Sequence, residues 1–130
     1  MSTNCSVAIQ NEDGSVTGIY AHWDGYLDGI GAELLQKFNT VDTVKELIML
    51  GDCSTIVDNV EAYHRDKGEA WESVAPTVHE DYSSFVGAMG QEYNYLFDNG
   101  VWMVSEAYAD TDIMQPLEEA LQRALEVQDY

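Results

Sequence analysis

His22 and Asp24, in the segment Tyr20-Ala21-His22-Trp23-Asp24-Gly25-Tyr26, come nearest in type and spacing to catalytic residues. A carboxylate beside an imidazole holds its tautomer and raises its pKa, as in a general acid/base pair. No nucleophile signature and no phosphate-binding loop accompanies them. Gly29-x-Gly31 is half of a GxGxxG pattern and follows no buried parallel strand, so it reads as turn geometry. The corner is therefore expected to be structural: Trp23 packed in the core, His22 and Asp24 satisfying local backbone groups, Gly25 permitting a sharp turn. His22, His64 and His79 are scattered without HExxH or CxxC spacing, and there is no DxDxDG calcium loop. The expectation is no catalytic residue, no cofactor and no metal beyond adventitious cations. Cys5 and Cys53 stand far apart and read as free thiols of a reducing compartment, Cys53 packed and Cys5 near a mobile end.

The dominant chemical signal is charge. Against 5 Lys and Arg the chain sets 24 Asp and Glu, a net of −19 in 130 residues. From Gly68 onward there are thirteen acids and one base, Arg123. A surplus of this size is not needed for folding and points to solubility or to recognition of a basic partner, while disfavouring nucleic acid and anionic lipid. The acids expected to form a partner-binding face are Asp110, Asp112, Glu118, Glu119, Glu126 and Asp129 on and before a C-terminal helix, with Glu69, Glu72, Glu80 and Asp81. Tyr82, Tyr108 and Tyr130 could add aromatic anchors. A chain of this mass exposes about 6,900 Å², or roughly one net charge per 360 Å². Duplex DNA carries one phosphate per about 100 Å² of a roughly 20 Å wide cylinder. Imitating DNA therefore requires the acids to gather on one face.

A hydrophobic content of 45%, with 8 Tyr, 3 Phe and 3 Trp, separates this chain from disordered acidic tails, and its length suits one domain. The first ten residues lack a signal peptide's basic and apolar regions, and no run is long and apolar enough for a membrane span. A soluble cytoplasmic protein is expected.

The elements that must position these side chains read as α+β, with helices packed on an antiparallel sheet of two hairpins. Ser6–Gln10 and Val16–Tyr20 flank an Asp13-Gly14 turn. Ile30, Leu34, Leu35 and Phe38 share a helical face that Asp28 can cap and Asn39 can end. Thr40 or Asp42 opens a second helix with Thr43 and Glu46 at capping-box spacing and Gly51 at its stop. Residues 52–89 read as largely irregular, with a strand at Val60–His64, a turn at Arg65–Gly68 and room for a helical turn. EYNYLFDNGVWMVSE is the second hairpin, with Tyr93, Tyr95 and Phe97 on one side. Ile113 to about Val127 is a helix with a Leu117, Leu121, Leu125 stripe and Pro116 in its first turn.

The Tyr-x-His-Trp-Asp-Gly-Tyr segment, the following Gly29 and Gly31, ELLQKF, and KELIMLGDCSTI resemble blocks recurring in a group of small phage and prophage proteins. Ala62–Glu69 and the Tyr-x-Tyr-Leu-Phe-Asp-Asn-Gly-x-Trp hairpin resemble that group's later blocks. The resemblance implies a phage-borne origin and a bacterial host cytoplasm, and carries no assigned chemistry. By charge alone the chain is similar to DNA-mimic inhibitors of restriction and CRISPR nucleases. The leading expectation is thus a phage-encoded binding protein that blocks a basic, nucleic-acid-binding surface of a host defence protein. The alternatives are a phage assembly or regulatory protein acting through hydrophobic contacts, with a homodimer as one form, and, last, an enzyme centred on His22, Asp24 and His64.

Overall fold

The computed structural model describes residues 3–106 and 114–128, with side chains as far as residue 126. In chain order the elements are β1 (Cys5–Gln10), β2 (Val16–Ala21), a π-helical turn (Leu27–Gly31), α1 (Ala32–Lys37), α2 (Val41–Ile48), β3 (Cys53–Thr55) and β4 (Glu61–Ala62). They continue with α3 (Tyr63–Lys67), α4 (Trp71–Val74), β5 (Thr77–His79), α5 (Tyr82–Met89), β6 (Tyr93–Asp98), β7 (Val101–Glu106), β8 (Gln115–Pro116) and α6 (Leu117–Gln128). The class is α+β, as the hydrophobic patterning implies.

Both hairpins form at the predicted turns. Between β1 and β2, Gly14 takes φ +91°, and the Asp13 carboxylate accepts from the backbone N–H of Ser15 at 3.0 Å and from its hydroxyl at 2.6 Å. Asp98 pairs with Val101, leaving Asn99 and Gly100 at φ +51° and +84°, the doubly left-handed turn that matches strand twist. The sheet is nevertheless mixed rather than antiparallel throughout. β1 pairs parallel with β6, from Cys5↔Tyr93 to Ile9↔Phe97, and β2 meets β3 in parallel at Ala21↔Cys53. The strand order is β4-β3-β2-β1-β6-β7-β8, with β5 on the outer edge of β2 near the first turn.

Both faces of the sheet are covered. On one, Cys5, Val7, Ile9, Ile19, Tyr95, Phe97, Trp102 and Val104 pack with Ile30, Leu34, Val44, Leu47, Ile48 and Leu117 in the main core. Two aromatic polar groups there find backbone acceptors: Tyr95 Oη donates to Gly25 O and Trp102 Nε1 to Phe38 O, each at 2.7 Å. On the other face Phe85 of α5 sits over Ala8, Val16 and Leu96. Beside this patch runs a buried polar row across β1, β6 and β7. Ser6 Oγ donates to Asn94 Oδ1 at 2.7 Å, and the Tyr82 hydroxyl closes on Ser105 Oγ at 2.9 Å.

Several local expectations are corrected. Asp28 caps no helix; it lies inside the π-helical turn, which begins after Tyr26 without a side-chain cap and runs directly into α1. The capping box of α2 is Thr40 with Thr43, not Thr43 with Glu46. Residues 52–89 are more ordered than their broken periodicity suggests, because each short element leans on the sheet or on its neighbour. The strand expected at Val60–His64 is cut to Glu61–Ala62 by α3, which ends at Gly68 (φ +70°). Pro116 precedes α6 and pairs with Met103, while Ile113 lies outside the described residues. Leu117 is buried, but Leu125 at the far end of the stripe is exposed. Cys5 is fully buried in β1, not near a mobile end. Both Cys5 and Cys53 flank Ala21 on opposite neighbouring strands, two strand spacings or about 10 Å apart, too far for a disulfide.

Gly18, paired with Ala8, makes the seat for Phe85: a Cβ there would lie 2.4 Å from Phe85 Cε1. Gly18→Ala is expected to cost about 1–3 kcal/mol by overpacking. In urea denaturation, the Gly18→Ala/Phe85→Leu double variant should lose less than the sum of the single losses, because the smaller side chain relieves the clash.

Candidate functional site

The predicted acidic residues fall into separate groups. Glu69 and Glu72 are exposed on and before α4, beside the β3–β4 edge. Glu118, Glu119 and Glu126 are exposed on α6, which packs against β7, β8, α1 and the π-helical turn near the opposite edge. Six strand spacings, about 29 Å, separate β4 from β8. Glu80 and Asp81 belong to neither group, since they follow β5 at one end of the sheet. Asp110, Asp112 and Asp129 lie outside the described residues, as do Tyr108 and Tyr130. Tyr82 is no exposed anchor, being packed on Phe85 and bonded to Ser105.

The backbone assembles a different group. Parallel pairing of β1 with β6 puts the two hairpin turns at one end of the sheet, and β5, antiparallel to β2, delivers its C-terminal end there as well. Exposed Glu12, Asp13, Glu80, Asp81 and Asp98 thus share this end, spread over β5, β2, β1 and β6, three strand spacings or about 14 Å across. Two of these carboxylates are held as anions. Ser15 lowers the Asp13 pKa through its hydroxyl and backbone N–H, and the Ser84 N–H, 2.8 Å from Asp81 Oδ1, lowers that of Asp81 at the N-terminus of α5. Between the turns and α2 lies a groove of about 830 Å³ lined by Ile9, Val41 and Phe97, by the acids Glu12 and Asp98, and by the cation Lys45. Asp13-Gly14 and Asp98-Asn99-Gly100 are each legible as turns. Their meeting is not, because it depends on a strand pair separated by 88 residues.

Three of the five cations are matched locally by carboxylates, while Lys45 is exposed in the groove beside Glu12 and Asp98. Lys37 pairs with Glu33 at 2.8 Å, Arg65 with Asp66 at 2.8 Å, and Lys67 with Glu61 at 2.7 Å, while Arg123 bonds to Gln115. Such exposed pairs stabilise weakly but cancel charge locally. Spread over 7180 Å² of surface, the net −19 amounts to one charge per about 380 Å², well below duplex density, so only local crowding of acids can approach it.

At the other end of the sheet, the HWDGY corner departs from expectation in two respects: Trp23 is 45% exposed instead of packed in the core, and the His22 and Asp24 side chains meet side-chain hydroxyls rather than local backbone groups. Nor do His22 and Asp24 form a pair. His22 Nδ1 lies 2.6 Å from the Tyr20 hydroxyl, whereas the Asp24 carboxylate accepts from Thr55 Oγ1 at 3.1 Å and Tyr26 Oη at 3.3 Å. Gly25 is required by close approach, since a Cβ would lie 2.7 Å from Thr3 O. His64 and His79 are engaged elsewhere, with Glu69 O and Thr77 Oγ1. Among the described residues no cluster of His, Cys, Asp and Glu is arranged to hold a metal ion. Burial pushes the Cys53 thiol up to about 12 and Cys5 higher still, so neither is a thiolate nucleophile at neutral pH.

No protein-family model matches this chain, and no curated protein or solved structure shows significant similarity to it.

Asp52 is the half-buried acid of this region. Its Oδ1 accepts the Tyr20 N–H at 3.0 Å, yet burial outweighs that bond and raises its pKa. The folded state therefore takes up the proton at higher pH than the unfolded chain, so this group favours folding below its unfolded pKa and loses that contribution as pH rises through the folded value. Asp52→Asn, which keeps an acceptor without charge, should raise the melting temperature at pH 7 and flatten its rise on acidification. Asp52→Ala strands the Tyr20 N–H and should cost about 1–3 kcal/mol.

Proposed function

We propose that this chain is a phage-encoded acidic binding protein that occupies a basic, nucleic-acid-binding surface on a host defence protein, a nuclease of a restriction or CRISPR system. The observation that carries this reading is the convergence of Glu12, Asp13, Glu80, Asp81 and Asp98 at one end of the sheet, with three of the five bases tied to carboxylates elsewhere. Carboxylates that replace phosphates against Lys and Arg give fast, steered association and a steep dependence on salt. Direct nucleic-acid binding is disfavoured by the same charge. The hairpin-turn end displaces the α6 acids as the favoured contact because two of its carboxylates, Asp13 and Asp81, are fixed by a turn and a helix cap, so less entropy is lost on binding. Among the described residues, the exposed large apolar side chains outside the HWDGY corner are scattered: Val41 and Met49 at the two ends of α2, Val78 on β5, Val101 on β7 and Leu125 on α6.

The test is inhibition of DNA cleavage by restriction and CRISPR nucleases in the presence of the protein. Inhibition should be relieved by excess duplex, and affinity should fall at least tenfold between 50 and 200 mM salt, as expected on the order of a few phosphate-like contacts. Replacing Glu12, Asp13, Glu80, Asp81 and Asp98 by their amides should weaken binding tenfold or more, and amides at Glu118, Glu119 and Glu126 should weaken it less. Affinity indifferent to salt and to competing DNA would overturn the reading.

A further inference from the structure

Trp23 leaves 45% of its surface in water and Tyr26 leaves 41%. A lone exposed aromatic is ordinary, but the backbone beneath this one is fixed from several sides. His22 N–H donates to Cys53 O at 3.1 Å and Trp23 N–H to Ser54 O at 2.7 Å, both toward β3. Gly25 N–H donates to Thr3 O at 2.8 Å, the Tyr95 hydroxyl to Gly25 O at 2.7 Å, and Ile30 N–H to Asp24 O at 2.8 Å. Between these anchors Asp24 is held at φ +64°, a conformation that costs energy for a residue other than glycine. The indole is positioned in turn by edge-to-face packing on His22, with centroids 4.7 Å apart. A large aromatic carried outward on backbone this constrained loses little freedom when a partner covers it.

The polar groups around Tyr26, next along the same corner, favour one kind of ligand. Among the described residues Asp24 Oδ1 has only the long 3.3 Å contact from the Tyr26 hydroxyl and keeps acceptor capacity toward them. Asp28, exposed, lies close enough to join Asp24 in raising the Tyr26 pKa. Aromatic surface beside two carboxylates suits a guanidinium, which stacks on rings and donates through a planar fork. The net charge of −19 selects the same sign of partner.

The geometry points to the Trp23–Tyr26 corner as an anchoring site for an arginine side chain of a basic partner protein. This rests on the reading that the partner is cationic. It places a short-range contact about 20 Å, the length of a six-residue strand, from the hairpin-turn acids.

A fluorescently labelled octa-arginine peptide, followed by anisotropy at 50 mM salt, tests it. Trp23→Ala should weaken binding about five- to thirtyfold, Trp23→Phe less, and Asp24→Asn, which tolerates the left-handed conformation, to a similar extent. Thermal melts of these variants near the parent's value exclude unfolding as the cause. Parent-like affinity in Trp23→Ala, with binding lost in Glu80→Gln/Asp81→Asn, would overturn the anchor and leave the proposed function standing. Failure of the parent itself to bind the peptide would overturn both.

Discussion

The parallel pairing of β1 with β6 is the constraint on which the rest of this fold depends. Each hairpin is local and could form alone only marginally, since two strands bury too little apolar surface. Joining them makes one sheet, with Val7 and Ile9 of β1 beside Tyr95 and Phe97 of β6 at its centre. A parallel join also requires a crossover, here everything between Ala21 and Tyr93, which must pass over the sheet and can therefore cover it. The π-helical turn, α1 and α2 take one face and α5 the other, so β1 is buried on both sides.

The same join sets the electrostatics. Antiparallel pairing of β1 with β6 would place the two hairpin turns at opposite ends of the sheet and divide their acids. Parallel pairing sends both turns one way, and the HWDGY corner and the start of β6 the other. Three of the five bases are neutralised where they arise, each by a residue close in sequence: Glu33 for Lys37, Asp66 for Arg65, Glu61 for Lys67; Lys45 instead lines the groove beside the turn acids. The excess of acids is expressed at turns, caps and helix surfaces, where water solvates it, while the fully buried polar groups among the described residues, such as Ser6, Asn94 and Ser105, are neutral.

Legibility in the sequence followed the range of the interaction. Asp13-Gly14 and Asn99-Gly100 announced their hairpins because left-handed turn residues act within four positions, and the alternation of Tyr93, Tyr95 and Phe97 marked a core face for the same local reason. The parallel register, the placement of β5 and the seat made by Gly18 for Phe85 rest on contacts between distant segments that no periodicity encodes. Trp23 was misread for a related reason: hydrophobicity predicts burial on average, but the bonds that fix its backbone turn the ring outward. The acids of α6 were legible as a helix face and those of the hairpin-turn end were not, although only the latter come from several elements to one place.

Edge design limits what strand addition could contribute to recognition by such a molecule. β4 and β8 are two residues long, β5 three, and β8 includes Pro116, so none offers a continuous row of free N–H and C=O groups. A strand-adding partner would find little to pair with, and a second copy would also meet like charge. What remains well fixed and outward-facing is at the two ends of the sheet: carboxylates locked by Ser15 and Ser84 at one, an indole on immobilised backbone at the other. Under the proposed function these ends would divide the physical labour of binding. Charge acts over about 8–10 Å in salt and governs encounter, whereas stacking acts only at contact and governs residence. A partner long enough to touch both ends would be captured by the first and retained by the second.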